Sequence, residues 1–336
     1  MAGLAEIASA AGVSMATVSR VLNRRTGVGD STRARVMAVL ADLPYTPRGL
    51  GALARTGVIG VLMPELANPV FPAFAEALES RAAAAGYSLL LCDTRSSSVR
   101  EEQYVRMLLG QGVDGMVFLS PEAADTGSSH GHYQQLLEDG VQMVFINGQT
   151  PPLGVPDIRI DAHFGGYAAT RHLIELGHER IGFVCGPARS IPARLLTSGW
   201  TAALEEADLV ADPACVSHSP FGAAGGAAGI ARLLGSVRPT AVICSSDHMA
   251  FGAISEAQSR GCSVPGDLSV VGFDDVPLAS YSSPALTSMA QPIKEMAKAA
   301  IDELLERLGT ELPEENAYSR VFRPRLVVRD STAPPR

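Results

Sequence analysis

The sequence predicts an α/β protein of two doubly wound lobes, each built on a parallel sheet, preceded by a small all-helical head. Three observations predict it. From residue 57 onward, short apolar runs alternate with stretches of helical periodicity, the pattern of βαβ units. Eight such runs can be read, more than one small sheet takes, so they divide between two lobes. Residues 1–47 contain none of them and read as three short helices. A length of 336 residues agrees, with a prior of roughly two domains and ample chain for a core.

In the head, Leu4, Ile7, Ala8 and Ala11 recur at helical spacing as one apolar stripe. Gly12 stands where a helix can end in a left-handed conformation, and the Ser14 hydroxyl caps the next helix. On that second helix Val18, Val21 and Leu22 face inward, leaving Ala16, Thr17, Arg20, Asn23 and Arg24 outward. A third helix from Ser31 buries Val36, Val39, Leu40 and Leu43. It stops in "LPYTP" (43–47), where Pro47 disfavours helical geometry at Thr46.

The apolar runs are "GVIGVLM" (57–63), "YSLLLC" (87–92), "GMVFL" (115–119), "VQMVFI" (141–146), "RIGFVC" (180–185), "TAVIC" (240–244), "LSVVGF" (268–273) and "RPRLVVRD" (323–330). Segments such as "FAEALESRAAAAG" and "YAATRHLIELG" supply the helices between them. Ligands of open parallel sheets bind beyond the carboxyl ends of the strands. Glu65, Asp93, Ser120, Asn147, Gly186, Ser245 to Asp247, Asp274 and Asp275 follow these strands, so two facing lobes would enclose a polar cleft.

Composition narrows the class of function. Hydrophobic residues at 46% and charged residues at 18% suit a soluble globular protein, and no apolar run approaches the ~18 residues that span a bilayer. The N-terminus has neither a basic start nor a continuous apolar stretch, so the expected location is cytoplasmic, with no membrane partner. Five scattered cysteines without a C-x-x-C pair argue against a disulfide frame and a zinc site, and Cys92, Cys185 and Cys244 read as small core residues. The net charge of −8 is unevenly spread: residues 1–56 hold seven arginines against three carboxylates, net +4, which leaves −12 for the other 280. A basic head on an acidic body is the asymmetry of a nucleic-acid-binding module. A B-DNA major groove admits one helix, whose first residues reach base edges.

Other motifs lead elsewhere and fail. "GLGALA" (49–54) mimics a dinucleotide fingerprint, but it follows "YTPR" rather than a strand. "HGH" (130–132) has metal-compatible spacing without an acid nearby in the sequence, and the other histidines are dispersed, with His178 read as structural. There is no G-x-S-x-G, no phosphate loop with lysine and no recognisable Cys/His pairing. No cofactor and no enzymatic activity are expected.

"GVSMATVSRVLN" (12–23) with "STRARVMAVLADLPYTP" (31–47) resembles the LacI (lactose repressor) family of bacterial transcriptional regulators. The resemblance continues through "GVIGVLMPELANPVF", "GQGVDGMVFLSP", "HLIELGHERIGFVCGP", the long run from "AVICSSDHMAFG" to "LTSMAQP", and "RPRLVVRDST", nearly the whole chain. It implies a helix-turn-helix head over 1–47, a hinge over 48–56, and a two-lobed core like that of periplasmic binding proteins. The lobes would comprise 57–158 with 290–320, and 159–289 with 321–330. It further implies a homodimer, or a tetramer, on palindromic double-stranded DNA operators, switched by a small metabolite, often a sugar. The ending "STAPPR" carries no heptad extension, which leans toward a dimer.

Carried over by position, the resemblance assigns base reading to Met15, Ala16 and Arg20. Arg20 suits a guanine edge, and the other two suit a thymine methyl. It assigns phosphate contacts to Ser14, Thr17, Ser19, Asn23 and Thr32, Ser14 being a helix cap as well. The leucine that wedges into the minor groove falls on Ala54, so Leu53 is the preferred wedge in a hinge about three residues shorter than usual. Gly49 and Gly51, at ~1 kcal/mol each in a helix, suit a segment that orders only on DNA. For the effector it assigns Asp274 as the main carboxylate, Phe221 as an aromatic wall, Val70 and Phe71 as the opposite apolar contact, and Asp161 as an acid opening the second lobe. An aspartate beside an aromatic face is usual for recognising sugars or nucleobases. Capping after a strand is the alternative for the Asp274–Asp275 pair.

Two departures bear on the ligand. Leu196 stands where the family often has arginine, with Arg194 two positions earlier, and Ser246–Asp247 replaces a frequent Asn-Asp. Both remove long donors, which points to a smaller, less charged or differently bound ligand. Three alternatives stay open. A solute-binding protein of a transporter would have the same core. An enzyme could be built on a similar sheet. A regulator could have lost its effector. Arg20→Ala is expected to lower discrimination between operator and random DNA by ~1–3 kcal/mol in competition binding; equal losses on both would mark Arg20 as a phosphate anchor.

Overall fold

The computed structural model describes residues 4–14, 17–18, 21, 28–42, 55–120, 122–128, 131–148, 154–309 and 319–336. The chain divides into two compact units, 1–56 and 57–336. In the first, α1 (Leu4–Ala11) and α2 (Asp30–Asp42) flank helical residues Thr17, Val18 and Val21. Ile7, Val18, Val21 and Val36 are buried together, as the periodicity requires. Gly12 takes φ +62°, and Val13 then donates back to the Ala8 carbonyl, so the chain turns out of α1. Leu22, Leu43 and Pro47 lie outside the described residues.

The second unit holds two six-stranded sheets. The first contains β1 (Val58–Met63), β2 (Ser88–Asp93), β3 (Gly115–Leu119), β4 (Met143–Ile146), β5 (Asp157–Ile160) and β11 (Ser319–Phe322), all parallel, in the order β11-β5-β4-β3-β1-β2. The second contains β6 (Ile181–Cys185), β7 (Val216–His218), β8 (Ala241–Cys244), β9 (Ser269–Asp274), β10 (Thr287–Ala290) and β12 (Arg325–Val327), ordered β12-β10-β9-β8-β6-β7. There, β12 runs antiparallel to β10 and the other pairs are parallel. Both sheets carry helices on two faces, so central strands such as β3, β4, β6 and β8 are buried throughout and read as unbroken apolar runs.

The helices of the first lobe are α3 (Val70–Ala83), α4 (Ser98–Gln111), α5 (Gly131–Glu138) and α10 (Ile293–Gly309); those of the second are α6 (Ala162–Glu175), α7 (Ile191–Glu206), α8 (Ala223–Gly235) and α9 (Asp247–Ser259). The chain crosses between lobes three times, after β5, after β10 and after β11. The expected limits at 158/159 and 320/321 fall inside β5 and β11. Both strands continue because Ile160 and Phe322 still pair as their last rung. No helix among the described residues is long and apolar enough to cross a membrane.

Four strands lack the apolar signature and escape a pattern reading. β7 and β11 are short edges, β5 reads DIRI, and β10 reads TSMA with Thr287 and Ser288 fully buried. The β10 hydroxyls are satisfied by tertiary partners: Ser288 donates to Asp247, and Thr287 to the Arg329 carbonyl. Of "RPRLVVRD", only Arg325–Val327 pairs as strand.

Helices α6 and α7 cross at backbone contact. A Cβ at Gly199 would lie 1.9 Å from the His163 carbonyl oxygen, and one at Gly166 would lie 2.0 Å from that of Leu196. Both approaches are to backbone atoms, which cannot rotate aside as a side chain would. Gly199→Ala is therefore expected to cost about 3 kcal/mol, the upper range for overpacking, read as a lower urea midpoint at unchanged m.

Candidate functional site

In the head, Ser14 accepts a hydrogen bond from the Thr17 amide at 3.1 Å, the geometry of a helix cap. The two hydroxyls lie 2.9 Å apart, so Thr17 is oriented by the cap itself. Ser14 is exposed and Thr17 and Thr32 are half-buried, which leaves the start of this helix open to solvent. Met15, Ala16, Ser19, Arg20, Asn23 and Leu53 lie outside the described residues.

In the second unit, a cavity of about 290 Å³ opens between the lobes at the carboxyl ends of the strands. Phe71, Phe74, Ser120 and Asn147 line it from the first lobe; Phe221, Ser246, Phe273 and Asp274 line it from the second. Gln291, on the crossing after β10, lines it as well. Ser120, Asn147 and Asp274 take φ of +42°, +57° and +112°. Such left-handed residues at three strand ends are strained for L side chains, and strain of this kind gathers at binding sites.

Asp274 is buried, and its Oδ1 accepts from the Gln291 amide at 2.7 Å. Burial, and then the neighbouring Asp247, hold its carboxyl well above the usual range. Asp247 is wholly buried, and its carboxyl is raised by the same burial. It accepts from the Val276 amide at 2.8 Å and the Ser288 hydroxyl at 2.5 Å, tying the turn after β9 to β10. Asp275, at φ +57°, pairs with Arg329 at 2.7 Å.

Five of the eight expected effector residues line the cavity: Val70, Phe71, Phe221, Ser246 and Asp274. Phe221 packs its ring against Gly186, where a Cβ would lie 2.4 Å from it, so the glycine seats the aromatic wall. Ser246 also caps α9, accepting from the Met249 amide. The other three stand elsewhere. Asp161 caps α6, accepting from the Phe164 amide at 2.9 Å. Arg194 is exposed, because α7 turns Leu196 into the cavity instead. Asp247 faces backward into the lobe, since α9 aims its first residue at β10.

Sequence reasoning missed Gln291, whose distance from Asp274 in the chain hides the pairing. It also missed Glu101, a buried carboxylate on α4 that lines the cavity and accepts from the Tyr133 hydroxyl. His132 Nε2 lies 3.2 Å from the same oxygen, so the acid absent near "HGH" in the sequence is supplied from 31 positions away. His130 lies outside the described residues, and among those described no group of three His, Cys, Asp or Glu could hold a metal. Across the mouth, Arg189 pairs with Asp125 at 2.7 Å, the Thr126 amide donates to the Arg189 carbonyl, and Asp125 bridges to Ser190. The buried His178 is held by Thr240, Ser269 and the Ala333 carbonyl, a structural role.

Two lobes, three crossings and a polar cleft at the strand ends define the two-lobed architecture of a ligand-binding protein, here with a helical head. The comparisons agree. Residues 3–48 match the model of bacterial regulatory proteins of the lacI family, and residues 170–332 match the periplasmic binding protein-like domain. An uncharacterized HTH-type transcriptional regulator in the aml 5' region of Streptomyces limosus is 42% identical over 335 residues, covering 98% of this chain and 94% of its own length. Among solved structures, a transcriptional regulator CelR–cellobiose complex superposes with TM-score 0.75 at 30% identity, covering 98% of this chain and 100% of the other. The lac repressor dimer bound to operator and an anti-inducer does so with TM-score 0.71 at 28% identity, covering 99% of each. The chain belongs to the lacI family of bacterial transcriptional regulators, which are DNA-binding proteins and not enzymes. A transporter's solute-binding protein would leave the match over residues 3–48 without a role.

Asp247 and Asp274 hold their protons more tightly folded than unfolded. For Asp247, between about pH 4 and about pH 7 the unfolded chain has released a proton that the folded chain keeps, so its contribution to stability is full below this window and is lost as pH rises through it; Asp274 acts in the same direction. The loss of unfolding free energy across this window is therefore expected to be shallower in Asp247→Asn than in the parent. Parallel profiles from urea titrations would mean that Asp247 ionises normally in the fold.

Proposed function

We propose that this chain is a repressor that binds a near-palindromic operator as a homodimer and is switched by a sugar closing the cleft between its lobes. The observation that carries it is the Asp274–Gln291 hydrogen bond, which joins the polar centre of the cleft to a segment on which the lobes turn. A ligand that engages Asp274 from one lobe and Phe71 from the other binds a closed arrangement better than an open one. Only such a difference in affinity moves a conformational equilibrium. The solved CelR relative, described with cellobiose, supports a saccharide, and the operator-bound lac repressor dimer supports the DNA reading.

Within this reading, residues 1–47 are the DNA-binding head and 48–56 the hinge. Met15, Ala16 and Arg20 read bases; Ser14, Thr17, Ser19, Asn23 and Thr32 hold phosphates; Leu53 enters the minor groove. Val70, Phe71, Phe221, Ser246 and Asp274 contact the effector, with Asp247 bracing the turn after β9 and Asp161 capping α6. Dimerisation covers apolar surface that the protomer leaves open: Leu90 and Leu91 are exposed on the edge strand β2, as are Leu278 and Tyr281 beside the turn after β9.

Fluorescence anisotropy with fragments of the chain's own promoter region tests this. Retention is expected to fall steeply with salt and to change about 5- to 150-fold on effector binding, a coupling of ~1–3 kcal/mol. Asp274→Ala is expected to keep DNA binding and lose the response together with the ligand-induced thermal shift. Absence of salt-sensitive retention on every fragment would sink the regulator reading, and an intact shift in Asp274→Ala would move the site.

A further inference from the structure

The cleft is longer than the residues around Asp274 require. At one end it touches Ile160 and Gln291, both beside the crossings. At the other it touches Thr94, which follows β2 at the far edge of the first sheet. Four inter-strand steps separate β5 from β2, roughly 19 Å at ~4.8 Å each. Its volume of about 290 Å³ is near twice the ~150 Å³ of a buried cavity that accepts one benzene ring. A single sugar ring held at Asp274 leaves the β2 end of this space unfilled.

The polar groups at that end come from the first lobe. Thr94, Ser98 and Glu101 come from the loop after β2 and the first turn of α4, and Glu122 comes from the short helical turn after β3. Glu101 is the best fixed of them. The Tyr133 hydroxyl and His132 hold its Oε1 from behind, on α5, while the residue lines the cavity. Glu122 is oriented likewise by the Ser128 hydroxyl at 3.1 Å. The lining therefore offers hydroxyls and carboxylates, groups that recognise neutral polyols. The one cationic side chain among the described lining residues is Arg189, already paired with Asp125, so an anionic group placed here would meet carboxylates without a matching charge.

We propose that the β2 end of the cleft is a second sugar subsite, in which Glu101 and Glu122 accept from the hydroxyls of a second unit. The effector is then a neutral saccharide of two or more units rather than a monosaccharide or a sugar phosphate. This rests on the reading of the cleft as a saccharide site. It adds that chain length is measured by the loop after β2 and the first turn of α4, at a distance from Asp274.

Isothermal titration of the full chain with glucose, glucose 6-phosphate, cellobiose and maltose tests it, alongside Glu101→Gln, Glu122→Gln and Ser98→Phe. At least one disaccharide is expected to bind tenfold or more tighter than glucose, and glucose 6-phosphate more weakly than glucose. The variants are expected to weaken the disaccharide about tenfold and leave glucose within twofold. Ser98→Phe acts by filling the space, so it reports even if Glu101→Gln loses its fold in a thermal melt. Glucose binding as tightly as either disaccharide would overturn the subsite and leave the effector reading standing. So would disaccharide binding that Glu122→Gln and Ser98→Phe leave unchanged. Tight binding of glucose 6-phosphate would overturn the neutral class. Silence with all four sugars would overturn the subsite and the saccharide reading together.

Discussion

A carboxyl group with almost no access to water stands at the end of β9, and the rest of the second unit is arranged around keeping it there. Asp274 takes a left-handed backbone that an L residue adopts only under constraint. The constraint comes from behind: Asp247 clamps the Val276 amide and the Ser288 hydroxyl, and Arg329 holds Asp275. An unpartnered carboxyl in this position would be costly to bury, and one hydrogen bond from Gln291 orients it toward the cavity.

Gln291 lies between β10 of one lobe and α10 of the other, so the amide that orients the carboxyl also belongs to a segment that joins the lobes. In the proposed switch, movement of the lobes would change the donor to Asp274, and a ligand on Asp274 would restrain the crossing. The opposite side of the cleft carries a weaker tie. Arg189 and Asp125 meet across the mouth, but Arg189 is largely exposed, and a pair of that kind contributes ~0–1 kcal/mol. A mouth held loosely and a back held by the chain itself suit a cleft that opens on one side.

Much of the architecture was legible as sequence. The eight apolar runs locate eight strands to within a few residues, because strands buried on both faces cannot hide their hydrophobicity. β5, β7, β10 and β11 left no such trace: two are short edges, and β10 satisfies its buried hydroxyls with Asp247 and Arg329 rather than avoiding them. The site divides the same way. Phe71, Phe221, Ser246 and Asp274 were named by position from the family resemblance, and all four line the cavity. Glu101 was not, since an acid on a periodic helix looks like a solvated face until Tyr133 is seen to donate to it.

What the sequence determined by itself is the inventory: which segments must be buried, where the chain can turn, that a positively charged helical piece precedes an acidic α/β body, and which family these residues resemble. The first three follow from local periodicity and charge, which need no knowledge of neighbours; the resemblance rests on motifs such as "GVSMATVSRVLN". Only the tertiary structure decided direction. It turned Asp247 and Arg194 away from the cleft, brought Leu196 into it, set Gln291 against Asp274 and Glu101 against Tyr133. Each of those outcomes depends on how helices and strands distant in the chain pack in register, and a one-dimensional pattern carries no record of that packing.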